Sequence, residues 1–307
     1  MYYFIINPSS RSGKGMALWK EIQTELNRHN ISYQAIHTTG SGHATKLSHH
    51  LSLDSRKKML IVLGGDGTLH EVINGLSPSS SLALGYIPTG SSNDLARSLK
   101  LESKPLKALS NILSGVPLRQ VDYGTLSLSD GSIHRFVVSC GIGFDASICA
   151  ESVDSPIKKL CNFLHLGKLS YIAIGIKHIF TQKGCDGTLV LDDRETIPLK
   201  NLFFASSHIH PFEGGGLAFC PNADYKDGAL DLCVVEAKWI PKRLFILICA
   251  LLKKHESCKG VHIYRCQKAV FHLDKPLFLH TDGESKYEKT ADFTVSSSPT
   301  DHYQLIG

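Results

Sequence analysis

The chain has 307 residues, 42% of them hydrophobic and 20% charged, with 33 Lys+Arg against 28 Asp+Glu and sixteen histidines. At roughly 150 residues per domain, that length suggests two domains with a cleft between them, and the lack of low-complexity tracts or repeats excludes a disordered or solenoid chain. The weakly basic balance suits an anionic ligand or membrane surface and is too small to argue for nucleic acid.

The first third alternates strand and helix. Strands are predicted at Tyr2 to Ile6, Ser32 to His37, Lys58 to Leu63 and Leu82 to Ile87. Helices follow at Gly15 to His29, His43 to Leu51, Thr68 to Gly75 and Asn93 to Leu99. That order implies a parallel sheet covered by helices on both faces, with ligands at the carboxyl ends of its strands.

From about Val121 the pattern becomes short alternating strands: Asp122 to Leu128, His134 to Ser139, Gly187 to Leu191, Asn201 to Ser206, Ala229 to Val235 and Val261 to Leu273. Helices interrupt them at Ser155 to Phe180 and Pro241 to His255. The predicted fold is therefore an α/β N-terminal domain over residues 1–120 and an antiparallel β-sandwich over 121–291, with the tail, about 292–307, returning to the first domain.

The longest apolar run, Leu244 to Leu252, is too short for a bilayer span, which needs roughly 20 residues. The N-terminus lacks the basic n-region of a signal peptide, and the nine cysteines form no C-x-x-C pair, so a cytoplasmic chain with reduced thiols is expected.

Three loops follow three strands of the first domain. In the first, Asn7-Pro8-Ser9-Ser10-Arg11-Ser12-Gly13-Lys14-Gly15, small residues open a helix where backbone amides can meet an anion, and Arg11 and Lys14 add charge. It departs from the Walker A pattern at Pro8 and Gly15. The second, Gly64-Gly65-Asp66-Gly67-Thr68, offers three glycines for close approach and a carboxylate for magnesium or a hydroxyl proton. His70 stands at the last glycine position of a dinucleotide fingerprint, which argues against that reading. The third, Pro88-Thr89-Gly90-Ser91-Ser92-Asn93-Asp94, ends a strand and caps a helix. Each loop alone also reads as an ordinary strand-turn-helix; three at consecutive strand ends point to a phosphate site.

The run GGDGT-LHEVINGL followed by IPTGSSNDLAR resembles the catalytic domain of diacylglycerol kinases, shared with sphingosine and ceramide kinases and closest to the bacterial soluble lipid kinases. NPSSRSGKG, CGIGFDA from Cys140 to Ala146, GGGLAFCPNADYKDGALD from Gly214 to Asp231, and Asp282-Gly283-Glu284 extend the resemblance, in order, over almost the whole chain. GGDGT is also similar to NAD kinases; the later motifs are not.

The resemblance implies that Asn7, Pro8, Ser9, Ser10, Arg11, Thr38, Gly64, Gly65, Asp66, Gly67, Thr68 and Ser91 hold ATP. It implies that Asp66 and Asp94 serve Mg²⁺ and phosphate positioning, and that Glu284 is the general base. Asp227, with backbone oxygens of Asp224 and Ala229, would hold a structural Mg²⁺. Ser92 stands where the family often has glycine. The implied reaction is phosphorylation of a membrane lipid hydroxyl, foremost diacylglycerol to phosphatidic acid. A kinase for a soluble compound such as NAD and a catalytically silent nucleotide-binding regulator are the competing readings.

For membrane contact, the segment Pro156 to Lys183 carries Lys158, Lys159, Lys168, Lys177 and Lys183 among apolar residues and no acid, so a peripheral anionic-membrane helix and a helix packed on the sandwich are both open. Trp239 to Lys254 is a second such segment, apolar all round and expected to be buried core. A homodimer is left open.

Overall fold

The computed structural model of the protein describes residues 1–54, 59–77, 80, 82–115, 117–154, 167–285 and 289–307. The first sheet is built from β1 (Tyr2–Ile6), β2 (Tyr33–His37), β3 (Met59–Gly64), β4 (Ala83–Pro88), β5 (Leu118–Asp122) and β16 (His302–Ile306), in the order β2-β1-β3-β4-β16-β5. Its pairs are parallel except β16 with β5. The central strands read as apolar runs because both of their faces are covered. Phe4 and Ile6 point to a layer with Trp19, Ile22 and Leu109, from helices α2 (Gly15–Arg28) and α6 (Pro105–Ser114). Ile5 and Val62 point to the opposite layer, with Ala44, Leu69 and Val72 from α3 (His43–Ser52) and α4 (Asp66–Gly75).

The chain changes sheet at Tyr123. Antiparallel strands β6 (Gly124–Leu128), β7 (Ile133–Phe136), β9 (Cys185–Leu191), β10 (Glu195–His208), β11 (Leu230–Glu236), β12 (Val261–Cys266), β13 (Lys268–Leu277) and β15 (Thr290–Ser296) run in the order β12-β11-β10-β9-β13-β15-β6-β7. Strand β10 shifts register between Leu199 and Leu202; its first half pairs β9, and its second half pairs both β11 and β8 (Ser139–Gly143). That branching places β8 and its partner β14 (Leu279–Thr281) off the main ladder.

Several elements differ from expectation. Asp122 to Leu128 and Val261 to Leu273 are each two strands. The second breaks at Gln267, where Asp192 Oδ1 accepts the amides of Gln267 and Lys268 and turns the chain. Helices α6 and α7 (Phe144–Asp154) are not among the predicted elements. The predicted Ser155 to Phe180 helix is described only from Gly167, as α8 (Gly167–Thr181); residues 155–166, with Lys158 and Lys159, lie outside the described residues.

The expectation for Trp239 to Lys254 is corrected. Helix α9 (Ile240–Leu251) buries Arg243, Ile246 and Ala250 against the sheet but leaves Phe245, Ile248 and Leu251 in solvent. A single layer of helices on a sheet has only one face to bury.

Candidate active site

The three glycine loops meet at the carboxyl ends of β1, β3 and β4. Asn7 Nδ2 donates to Thr68 Oγ1 at 2.9 Å, while Asn7 Oδ1 accepts the Ser9 amide at 3.0 Å, tying the first loop to the second. Thr89 Oγ1 donates to Ser10 Oγ at 2.9 Å, tying the third loop to the first. Gly65 and Gly90 touch backbone to backbone: a methyl group on Gly65 would stand 2.9 Å from the Gly90 Cα. A side chain at either position would force the loops apart, which is the physical reason glycine stands there. Thr38 lies beside them, its amide bonded to the Ile6 carbonyl. Glu71 accepts the amides of Gly42 and Ala44 and so fixes the turn after Thr38.

Asp66 sits at the first turn of α4. Its Oδ2 accepts the Asp94 amide at 3.1 Å, and its Oδ1 is buried with no hydrogen-bond partner. Burial, and then the neighbouring Asp94 charge, push the Asp66 carboxyl up to about 6. Burial also raises Asp94. Asp94 Oδ1 accepts from Arg97 at 3.2 Å, and its Oδ2 accepts the Gly215 amide at 2.8 Å. Two buried carboxylates with an orphaned oxygen are the hard-oxygen environment that a Mg²⁺ ion relieves, so the residues fit that ion.

Glu284 comes from the second domain. A methyl group built on Gly67 would stand 2.8 Å from Glu284 Oε1, so the acid leans on the bare backbone of the second glycine loop. The turn that carries it is fixed by Asp282, whose carboxylate accepts the amides of Val137, Val138 and Ser139 and pairs with His70 Nδ1 at 2.8 Å. Asp66, Asp94 and Glu284 are thereby gathered around one crevice. An adjoining cleft of about 670 Å³ is lined by Thr45, His70, Glu71, Asn74, His134 and Glu284, among others.

Sequence reasoning missed a buried group behind this turn. His280 Nε2 lies 3.2 Å from Asp145 Oδ2 and 3.3 Å from Glu213 Oε1, and Gly141 has no side chain because one would strike both Asp145 and His280. Burial raises Asp145. Burial would also raise Glu213, but His280, His208 and Ser206 together bring it down to about 2. The three residue types suit a metal and their ligand atoms lie within 4.8 Å of one another. However, the Gly283 amide donates to His280 Nδ1 at 3.1 Å, which leaves the ring proton on Nε2, facing the carboxylates. That proton joins the imidazole to Asp145 and Glu213, and a metal held by the same three residues would have to displace it.

Glu213 also begins the turn Gly214-Gly215-Gly216, all at positive φ, which lays the Gly215 amide on Asp94. The signal for this was present in the GGG run, but its partners are distant in sequence.

The proposed structural-ion residues stand elsewhere, in the Asp224 to Ala229 turn. Asp227 Oδ1 accepts the Ala229 amide at 2.9 Å, and Asp227 Oδ2 pairs with Arg265 at 2.5 Å. Asp224 Oδ1 accepts the Lys226 amide. Asp122 and Asp231 are close enough that Asp224 and Asp227 help raise both, after burial. Both Asp227 oxygens are thus engaged, one by a backbone amide and one by a guanidinium, so an ion held here would have to displace Arg265. Ser91 is exposed at the crevice rim, and Pro8, Ser9 and Arg11 line the first loop.

Comparison with known proteins identifies the family. The diacylglycerol kinase catalytic domain model matches residues 1–126, and the YegS C-terminal NAD kinase beta sandwich-like domain model matches 142–300. The chain is 31% identical over 303 residues to the Bacillus subtilis protein named "Putative lipid kinase YtlR", covering 97% of each. It is 25% identical over 249 residues to the Bacillus subtilis diacylglycerol kinase, covering 80% of this chain and 77% of that one. A solved Bacillus anthracis diacylglycerol kinase structure shares the fold, with a TM-score of 0.69 and 18% identity over 99% of this chain and 96% of that one. The two matched domains and the full-length relative place the chain in the two-domain lipid kinase class. The chain belongs to the diacylglycerol kinase catalytic-domain family.

Proposed function

We propose that the protein transfers the γ-phosphoryl group of ATP to the hydroxyl of a membrane lipid, diacylglycerol first among them. The observation that carries this is the placement of Glu284 against Gly67, beside the buried pair Asp66 and Asp94. Phosphoryl transfer asks a protein for positioning, charge neutralisation and acceptance of one proton.

In this reading Asn7 to Arg11, Thr38, Gly64 to Thr68 and Ser91 hold the nucleotide. Asp66 and Asp94 would hold Mg²⁺, which when bound would supply positive charge to the phosphates. Glu284 accepts the lipid hydroxyl proton as the hydroxyl oxygen bonds to the γ-phosphorus and the bond from that phosphorus to the β,γ-bridging oxygen breaks. ADP leaves, and the lipid carries a phosphomonoester. Asp224, Asp227 and Ala229 would hold a second, structural Mg²⁺ away from the reaction. No helix among the described residues is long and apolar enough to cross a membrane, so the lipid would be met at a membrane surface.

Incubation with labelled ATP and a panel of diacylglycerol, phosphatidylglycerol, a sphingoid base and NAD, the lipids in mixed micelles, tests this. Label in phosphatidic acid is the expected result; label in NAD alone, or in nothing, overturns it.

A further inference from the structure

We propose that the outer face of α9, with the end of α8, is the surface by which the protein lies on an anionic membrane; this rests on the lipid kinase reading above. Globular chains rarely leave a contiguous apolar patch in water without a partner for it. Here Trp239 is 67% exposed, Phe245 60%, Ile248 55% and Leu251 69%, with Leu244 and Leu252 beside them. The spacing of three and four residues among Leu244, Phe245, Ile248, Leu251 and Leu252 puts them on one helix face, opposite the buried Arg243, Ile246 and Ala250, and Trp239 stands at the helix N-cap.

Helix α8 extends the patch through the exposed Ile176 and Phe180. Arg243 locks the two helices together: its guanidinium donates to the carbonyls of Ile179 and Gln182, from the end of α8, and to Ala237, while stacking 4.5 Å over Phe203. The face is therefore a rigid two-helix surface.

Charge selects the occupant. Lys238 precedes the exposed stripe, Lys253 and Lys254 follow it, Lys183 ends the α8 side, and residues 237–255 contain no acid. A second copy of this chain would bring lysine against lysine, whereas an anionic headgroup layer matches both the apolar stripe and its basic ends. A helix of this kind lies in the plane of the interface with its apolar side chains among the acyl chains. Trp239, at the edge of the stripe, has the amphipathic ring that favours headgroup depth.

The test uses the full chain and vesicles of phosphatidylcholine with and without phosphatidylglycerol. The wild type is expected to cosediment with the anionic vesicles. Brominated phospholipid should quench Trp239, since the other tryptophan, Trp19, is buried in the first domain. The double substitution Phe245→Glu/Ile248→Glu should weaken vesicle binding at least about tenfold. Lys253→Glu/Lys254→Glu should weaken binding to anionic vesicles by a similar factor. Both variants should keep turnover of a short-chain, water-soluble diacylglycerol while losing turnover of long-chain diacylglycerol in vesicles. Unaltered cosedimentation of the Phe245→Glu/Ile248→Glu variant, absence of bromine quenching in the bound wild type, or a wild-type dimer that this variant dissolves would overturn the proposal. A wild type that binds vesicles and phosphorylates none of the lipids of the labelled-ATP panel would instead overturn the lipid kinase reading and leave the docking face standing.

Discussion

Glu284 Oε1 rests against Gly67, at a spot where the first carbon of any side chain would stand 2.8 Å from it. Gly67 is helical, in the first turn of α4, so alanine there costs the backbone nothing and improves helix propensity. Gly67→Ala is expected to push the Glu284 carboxylate out of place and to cut kcat by about a hundredfold, the effect of misplacing a reacting group by roughly 1 Å. Thermal unfolding should show a Tm equal to or above that of the wild type. A variant as active as the wild type would separate Glu284 from the chemistry.

Asp66→Asn and Glu284→Gln remove the proposed metal ligand and the proposed base. Each is expected to lower turnover at least about a hundredfold with the fold retained. Chelation of divalent metal should abolish wild-type turnover, and added Mg²⁺ should restore it. Steady-state kinetics beside circular dichroism spectra decide the matter.

Glu213 contributes to stability at acid pH. Its folded-state carboxyl is held at about 2, below its ordinary 4.5, by His280, His208 and Ser206 against the opposing effect of burial. Stability from this group is therefore fully present above about 4.5 and is lost as pH falls from there through about 2. That loss is the linkage expected of a carboxyl depressed in the folded state. Glu213→Gln should be less stable than the wild type at pH 7 and should show a shallower decline between pH 5 and 3 in denaturant titrations. Parallel declines would remove Glu213 from the account.

The acid cluster at Asp224, Asp227, Asp122 and Asp231 makes a separate prediction about magnesium. An ion bound to the folded state alone stabilises it by mass action. Millimolar Mg²⁺ should raise the wild-type Tm, and Asp227→Asn should diminish that rise while leaving Arg265 without its partner at 2.5 Å. An identical Mg²⁺ response in wild type and Asp227→Asn would exclude the turn as an ion site.

Local sequence made much of the fold legible. The apolar runs around Phe4, Val62 and Leu84 are what strands buried on both faces require, and the glycines at 64, 65, 67 and 90 mark places where backbone must touch backbone or a neighbouring side chain. Helix α9 misled because nine apolar residues in a row carry no periodicity, and only packing shows which of them face the sheet. The Asp145, Glu213 and His280 group was invisible for another reason: its members belong to three separate segments, and no spacing rule connects positions so far apart.

The sequence by itself determined the alternation of strand and helix in the first sheet, the three glycine loops and the family, because these depend on residues close together along the chain. Only the tertiary structure decided that Glu284 meets Gly67, that His70 holds Asp282, that one imidazole bridges two buried acids, and that α9 shows an apolar face to solvent. Those outcomes depend on which sheet each strand joins and on which face each helix buries, and such choices are settled by the packing of the whole chain.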